Sequence, residues 1–277
     1  MQKVFFLFFL LSSTYLHAAK PHEPTMYALI VGDTVSENIR PAVLADISNI
    51  ERSLDVISQQ INYRLKLKVL EGHSIHTKDA IHWLKKIPVS SRDIIFFFYS
   101  GHGTQDMDGK LWPVLWPRIN GQGVSGNAVL HFLKKQKNRL SLAFFQACNA
   151  PAKENNYKKK IKGPFLPFLD PSISLPGLKT LFLHTRGLVS ATAAKRGDLA
   201  WSVTDDIDNA MLGSIFTHML VNSLQEKCLN ENVSWEDVLK ATSENCTAEI
   251  DSWDLVEIEN LGFIKAEQHP FYQIDVK

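Results

Sequence analysis

A chain of 277 residues, 45% of them apolar and 21% charged, has the composition of a globular protein rather than a disordered or fibrous one. Its 30 Lys and Arg residues nearly balance its 29 Asp and Glu residues, so the net charge of +1 gives no global field to recruit nucleic acid or an anionic membrane. The length fits a single domain over residues 20–277 once an N-terminal export segment is set aside.

The N-terminal residues have the pattern of a secretory signal peptide. Lys3 supplies a positive charge, Val4 to Leu11 is an unbroken apolar run, and Ala18 and Ala19 are small residues suited to cleavage. The run is shorter than the roughly 20 residues that cross a bilayer, which favours cleavage over an uncleaved anchor. We therefore expect residues 1–19 to be removed and the protein to be secreted or periplasmic, without stable membrane insertion.

The first elements of the mature chain alternate between strand and helix. Tyr27 to Gly32 is a continuous apolar run, which predicts a strand buried on both faces. From Pro41 to Gln60 the apolar residues recur with helical spacing. Leu67 to Leu70 is the next predicted strand, and a helix capped by Thr77 follows it.

Two strong strand signals in the middle of the chain each end beside a chemically reactive side chain. Ile94 to Tyr99 is a run of large apolar residues that leads to His102, and Leu140 to Phe145 leads to Cys148. A helix over about residues 127–136 separates the two strands. Parallel neighbours would therefore bring the imidazole and the thiol to one edge of a sheet.

Loops and further elements complete the predicted order. Trp112 to Pro117 predicts a hairpin or ordered loop, and the proline-rich residues 151–177 predict a long surface loop without regular structure. Gly187 to Thr192 predicts a strand, Gly213 to Leu224 a helix, and Ser234 begins the last helix. This alternation implies an α/β fold with a mostly parallel sheet between helical layers, which binds ligands at the carboxyl ends of its strands.

His102 and Cys148 together predict a catalytic dyad. A cysteine peptidase needs a thiolate nucleophile, a base that takes and returns a proton, and N–H donors for the oxyanion. His102 supplies the base, and the backbone N–H groups of Gly103 and Cys148 are the predicted oxyanion donors, because glycine leaves its amide unobstructed. Considered alone, His102 would be interpreted as a histidine in a turn. Cys148 alone would be interpreted as a buried thiol without a catalytic role.

The sequences YSGHG at Tyr99 to Gly103 and FFQAC at Phe144 to Cys148 resemble the His-Gly and Gln-Ala-Cys motifs of caspases and metacaspases. Further similarity to bacterial caspase-like domains is carried by Asp46 and Asn49, Ser190 to Thr192, Gly213 to Thr217, and Gln268 to Pro270. The resemblance implies a caspase-like three-layer αβα sandwich. It also implies a cysteine-type endopeptidase that acts on proteins or peptides without a cofactor or a metal ion.

The resemblance leaves the preference for the residue before the scissile bond (P1) open. Gln146 matches the glutamine of the caspase aspartate pocket, and Arg186 or Arg196 could pair with an acidic P1 residue. The candidates for binding a basic P1 residue are carboxylates of the following loop: Asp198, Asp205 and Asp206. Similarity to bacterial caspase-like proteins favours Arg or Lys, whereas the Gln-Ala-Cys motif favours Asp.

Two departures from the caspase pattern keep a second function open. Cys148 is followed by Asn149 and Ala150 instead of a basic or small residue and glycine, and Trp201 is followed by Ser202 instead of arginine. A catalytically silent module that binds peptides in the same groove is therefore the alternative.

Three further patterns carry less weight. Gly121 to Gly126 matches a dinucleotide-binding motif, but no uninterrupted strand precedes it and no acidic residue lies about 20 positions on, which favours a loop. Lys158 to Lys160 could be cleaved by a protease that accepts basic residues. If a disulfide forms, Cys228 and Cys246 are the expected partners.

Overall fold

The computed structural model describes residues 23–72, 77–115, 123–151, 158–161, 167–205, 211–253, 256–258 and 262–277. The predicted signal peptide lies outside these residues. None of the helices in the described ranges is long and apolar enough to cross a membrane.

The predicted strands and helices follow one another in the expected order, together with short strands that the sequence did not predict, and the helix expected from Gly213 begins at Ile215. In chain order they are β1 (Thr25–Gly32), α1 (Arg40–Gln60), β2 (Arg64–Glu71), α2 (Thr77–Lys86), β3 (Ile94–Ser100), β4 (Gly103–Thr104), β5 (Val114–Leu115), β6 (Val124–Ser125), α3 (Gly126–Lys134), β7 (Leu140–Gln146), β8 (Lys158–Ile161), α4 (Gly177–Lys179), β9 (Gly187–Thr192), β10 (Ser202–Asp205), β11 (Met211–Ser214), α5 (Ile215–Lys227), α6 (Trp235–Asp251), β12 (Val256–Ile258), β13 (Gly262–Ile264) and β14 (Phe271–Val276). A short π-helical stretch, Thr180–His184, continues α4.

The main sheet has six strands in the order β14-β9-β7-β3-β1-β2. All neighbouring pairs are parallel except β14 with β9. Ser100 at the end of β3 is in register with Gln146 at the end of β7 and with Gly32 at the end of β1. The carboxyl ends of the three central strands therefore meet at one edge, as the sequence predicts.

Helices cover both faces of the main sheet. Ile94, Phe96 and Phe98 of β3 face the core formed with α1, α5 and α6, whereas Ile95 and Phe97 face the core formed with α2 and α3. Every residue of β3 is buried, which explains why this strand is a continuous apolar run instead of an alternating one. The predicted α/β sandwich with a mostly parallel sheet is confirmed.

Helix α6 begins where the sequence predicts the last helix, with Ser234 as its N-cap. The hydroxyl of Ser234 accepts a hydrogen bond from the amide of Asp237 at 3.2 Å. The carboxylate of Asp237 accepts one from the amide of Ser234 at 2.9 Å. The two hydrogen bonds satisfy backbone amides at the start of the helix. These amides have no hydrogen-bond partner within the helix itself.

The prediction that residues 151–177 have no regular structure was wrong for part of this segment. Lys158–Ile161 forms β8, which pairs in parallel with β10. Leu169 and Leu175 are fully buried in the core shared with α1, so burial of apolar side chains fixes the later part of the segment. Cleavage at Lys158 to Lys160 stays a prediction, and it now requires these residues to leave a paired strand.

Cys228 and Cys246 do not form the disulfide considered above, since both are free and buried. Cys228 follows the last turn of α5, and Cys246 lies on the buried face of α6. Burial raises the pKa of Cys228 to about 12 and also raises that of Cys246. Both thiols are therefore inert small apolar groups of the core.

Candidate active site

Strand β3 delivers His102 to the carboxyl edge of the sheet through a tight turn at Gly101. A Cβ atom on Gly101 would lie 2.6 Å from Cβ of Asp33 and 2.7 Å from the hydroxyl of Tyr99, so only glycine fits here. The Tyr99 hydroxyl donates a hydrogen bond of 2.7 Å to the carbonyl of His102, which fixes the backbone of the histidine. The imidazole Nε2 lies 3.3 Å from Oδ1 of Asn38.

Cys148 follows β7 at the same edge, and its thiol is held beside the loop after β9. The amide of Ala200 donates to Sγ at 3.3 Å. Burial raises the pKa of the Cys148 thiol, while hydrogen bonds from the amides of Ala200 and of Cys148 itself lower it in part. The resting side chain is therefore a thiol at neutral pH, and attack on a substrate requires a base to remove its proton.

Gly103 packs directly against the peptide of Cys148 and so brings the two halves of the site together. A Cβ atom on Gly103 would lie 2.4 Å from the carbonyl oxygen of Cys148 and 2.7 Å from Cβ of Ala147. The amide of Gly101 also donates to the carbonyl of Gln146 at 3.0 Å. His102, Gly103 and Cys148 thus converge at the edge that their strand order predicts.

A buried carboxyl group lies in the layer beneath this edge. Asp46 of α1 is 0% exposed and accepts hydrogen bonds from the Ser100 hydroxyl (2.7 Å), the Ser214 hydroxyl (2.6 Å) and the Ser214 amide (2.8 Å). Burial raises its pKa, while the two serines and nearby His218 lower it in part. Ser100 is the register partner of Gln146, so Gln146 projects from the same face of the sheet. We call Asp46, Ser100, Gln146 and Ser214 the Asp46 cluster.

Asp46 was not identified as a site residue from the sequence, although the pattern of α1 indicates a polar site there. It occupies the apolar face of α1 between Val43, Ile47 and Ile50, all of which are buried. A single acidic residue on the buried stripe of a helix requires polar partners, because a buried charge without them is unfavourable. The pattern therefore indicates a polar site under the sheet edge, but it does not name the partners.

The predicted substrate-binding residues separate into two groups. Gln146 lies at the site, and in the described part of the chain its buried Oε1 has no hydrogen-bond partner. Arg196 is also near, but its guanidinium donates to the carbonyls of Asp106 (2.6 Å) and Lys110 (3.2 Å). Arg186 precedes β9 and therefore lies at the opposite end of the sheet from Cys148.

For the three acidic candidates, the described residues show no carboxylate that is available to bind a substrate. Asp198 is engaged by His269, whose amide and Nδ1 lie 3.0 and 2.7 Å from its carboxylate. Asp205 belongs to β10, where only its backbone is described, and Asp206 lies outside the described residues. Next to this loop, the amide of Trp201 donates to Oε1 of Gln268 at 2.9 Å.

Comparisons with known proteins agree with this architecture. A family model described as the caspase domain matches residues 25–274. Among solved structures, caspase-1 from Spodoptera frugiperda superposes with a TM-score of 0.56 at 14% sequence identity, covering 91% of this chain and 87% of that one. No curated protein matches the sequence significantly.

Proposed function

This chain belongs to the caspase-domain family of cysteine peptidases, and from that premise we propose that it is an endopeptidase that hydrolyses peptide bonds with a His102–Cys148 dyad. The observation that carries the proposal is the contact of Gly103 with the backbone of Cys148, which sets the nucleophile beside two potential oxyanion donors. Caspase-fold membership alone would leave room for an inactive homologue. The retention of both reactive side chains at one sheet edge favours catalysis.

The proposed reaction proceeds through a thioester. His102 removes the proton of the Cys148 thiol as Sγ attacks the scissile carbonyl carbon, and the amides of Gly103 and Cys148 bind the oxyanion. His102 then donates that proton to the departing amine as the C–N bond breaks. Water, deprotonated by His102, attacks the thioester, and the thiol recovers a proton when the acid product leaves. Neither a metal ion nor an organic cofactor takes part in this scheme.

The silent peptide-binding module remains the rival, and one screen separates the two functions. The purified mature chain is incubated with a diverse peptide library, and mass spectrometry identifies cleaved products while pull-down identifies retained peptides. We expect products with a common residue at P1. Retention of intact peptides without any product would establish the rival and exclude the endopeptidase.

We further propose that the enzyme cleaves after Arg or Lys, with Asp46 as the residue that compensates the positive charge. Asp46 is the buried acid of the cluster on the sheet face that Gln146 shares, and Oδ1 of its carboxylate, which accepts the Ser214 amide, has a second lone pair that could accept from a bound cation. A guanidinium or ammonium group near a buried carboxyl stabilises its ionised form. The acidic alternative is weaker, because Arg186 is remote and Arg196 is bound to carbonyl groups.

Replacing Asp46 with asparagine tests this preference. We expect kcat/KM for a P1-Arg peptide to fall by about 100-fold relative to the same peptide with P1-Gln, because a buried cation loses its counter-charge. Since burial raises the pKa of Asp46, the wild-type preference for P1-Arg should also decline on acidification, at a higher pH than for an exposed aspartate, as the carboxyl takes up a proton. The two peptides are compared across pH.

Asp55→Asn is the matched control, since Asp55 lies on the same helix but is exposed and bonded to Gln59. It should leave the ratio unchanged. Cleavage only after Asp, or an unaltered P1 profile in Asp46→Asn, would contradict the assignment.

Export is a separate proposal, supported by the charge and apolar run at residues 1–19. N-terminal sequencing of the protein from the secreted or periplasmic fraction should find a mature chain that begins near Lys20. A chain that retains residue 1 in a membrane fraction would indicate an uncleaved anchor instead.

A further inference from the structure

The residues between β4 and β5 form a turn that is tied to the segment carrying the nucleophile. We call Gln105 to Leu111 the 105–111 turn. The amide of Gln105 donates to the carbonyl of Ala150 at 3.1 Å, and Nδ2 of Asn149 donates to the carbonyl of Leu111 at 2.7 Å. Both ends of the turn are therefore bonded to the two residues that follow Cys148.

Arg196 adds a third anchor, through its two bonds to the carbonyls of Asp106 and Lys110. Within the turn, the buried carboxylate of Asp106 accepts a hydrogen bond of 2.9 Å from the amide of Asp108. The carbonyl of Asp106 also accepts one of 3.3 Å from the amide of Gly109. The backbone of the turn is thus fixed before any ligand binds, which lowers the entropic cost of binding.

This anchored turn exposes two large apolar side chains to solvent. Met107 is 90% exposed and Leu111 is 55% exposed. In the described part of the chain six large apolar side chains are exposed, and these two lie on the turn that is bonded to the residues after Cys148. Their contact with water is unfavourable and is not offset by packing within the protein, so an apolar partner here would gain from their burial.

The position of the turn identifies which half of a substrate would reach it. His102 must protonate the departing amine, so the residues after the scissile bond (the primed side) leave on the side of the His102–Gly103 segment. That segment continues directly into the 105–111 turn. Ala200, in the loop between β9 and β10, contacts the Cys148 thiol from the other direction, so we assign this loop to the acyl half of the peptide.

Resting on the proposed endopeptidase function, we propose that Met107 and Leu111 form a primed-side subsite that selects polypeptides with apolar residues just after the cleaved bond. Asn149 and Arg196 are positioning residues for this subsite, because they hold the carbonyls of the turn against the Cys148 segment. The proposal gives a role to Asn149, which replaces the basic or small residue of the caspase motif.

The test compares three substrates. They share the same acyl half, and each has a different leaving group. Two are peptides with Leu-Phe or Asn-Gln after the scissile bond, and the third is aminomethylcoumarin, which has no primed residues. For the wild type we expect kcat/KM to be higher for Leu-Phe than for Asn-Gln. In the Met107→Ala/Leu111→Ala variant that ratio should fall by about tenfold, the scale of losing a few buried methyl groups.

Leu229→Ala is the matched control, because Leu229 is 59% exposed just beyond α5 and outside the site. It should retain the wild-type ratio, and thermal unfolding should show that both variants are folded. A wild type that cleaves the coumarin substrate but does not distinguish the two peptides, or a double variant with an unchanged ratio, would overturn the inference alone. Failure of the wild type to cleave any of the three substrates would remove the proposed function and the subsite with it.

Discussion

Replacing Cys148 with alanine is expected to lower kcat for peptide hydrolysis by at least about 1,000-fold, because the variant has no atom that can form the acyl intermediate. His102→Ala should lose a comparable factor, since the thiol of raised pKa then has no base to remove its proton. Residues that act as one unit are not additive, so the double variant should be no slower than the slower single variant. Steady-state kinetics on the preferred peptide measure all three.

Covalent labelling provides the control for this prediction. A peptide with an electrophilic group at its carboxyl end should label the wild type and Cys228→Ala, whose thiol is buried and inert, but not Cys148→Ala. Full activity in either dyad variant, or labelling that persists without Cys148, would contradict the proposed nucleophile.

Gly103→Ala is the second change with a large expected effect. The added methyl group would meet the carbonyl oxygen of Cys148 at 2.4 Å, and backbone at this distance cannot yield as a side chain would. The displacement should move an oxyanion donor and lower kcat by about 100-fold or more, with a smaller change in KM. Overpacking should also lower the free energy of unfolding by about 1–3 kcal/mol.

Gly72→Ala separates the local effect from a general effect of glycine replacement. Gly72 has a φ of +78°, and no described atom lies within 4 Å of a Cβ built there, so its replacement should cost only about 1 kcal/mol of backbone strain. Chemical denaturation and kcat are measured for both variants. A Gly103→Ala enzyme with wild-type kcat would exclude this amide from the oxyanion site.

The elements that could be predicted from sequence are those whose signal is local. β3 and β7 are long apolar runs, and their positions as neighbouring parallel strands follow from the βαβ order, so His102 and Cys148 were located correctly at one edge. The same reasoning would have excluded Arg186, because it precedes a parallel strand and so lies at the opposite edge from residues that follow one.

The features that were missed depend on contacts between distant residues. β8 is a lysine-rich strand whose pairing with β10 crosses more than 40 positions, and its composition gives no strand signal. The partners of Asp46 likewise come from β3 and from the end of β11, which no periodicity connects. A buried polar group can be detected from sequence, whereas the identity of its partners requires the tertiary structure.

The bonds of Asp198 and Trp201 to residues 268 and 269 have a consequence for the timing of synthesis. The loop that contacts the Cys148 thiol is held by segments that leave the ribosome much later than β7 or β9. Because chains emerge from the N-terminus onward, a nascent chain that already contains both His102 and Cys148 still lacks this support. We therefore expect the proposed peptidase activity to appear only after residues 267–276 have docked onto this loop.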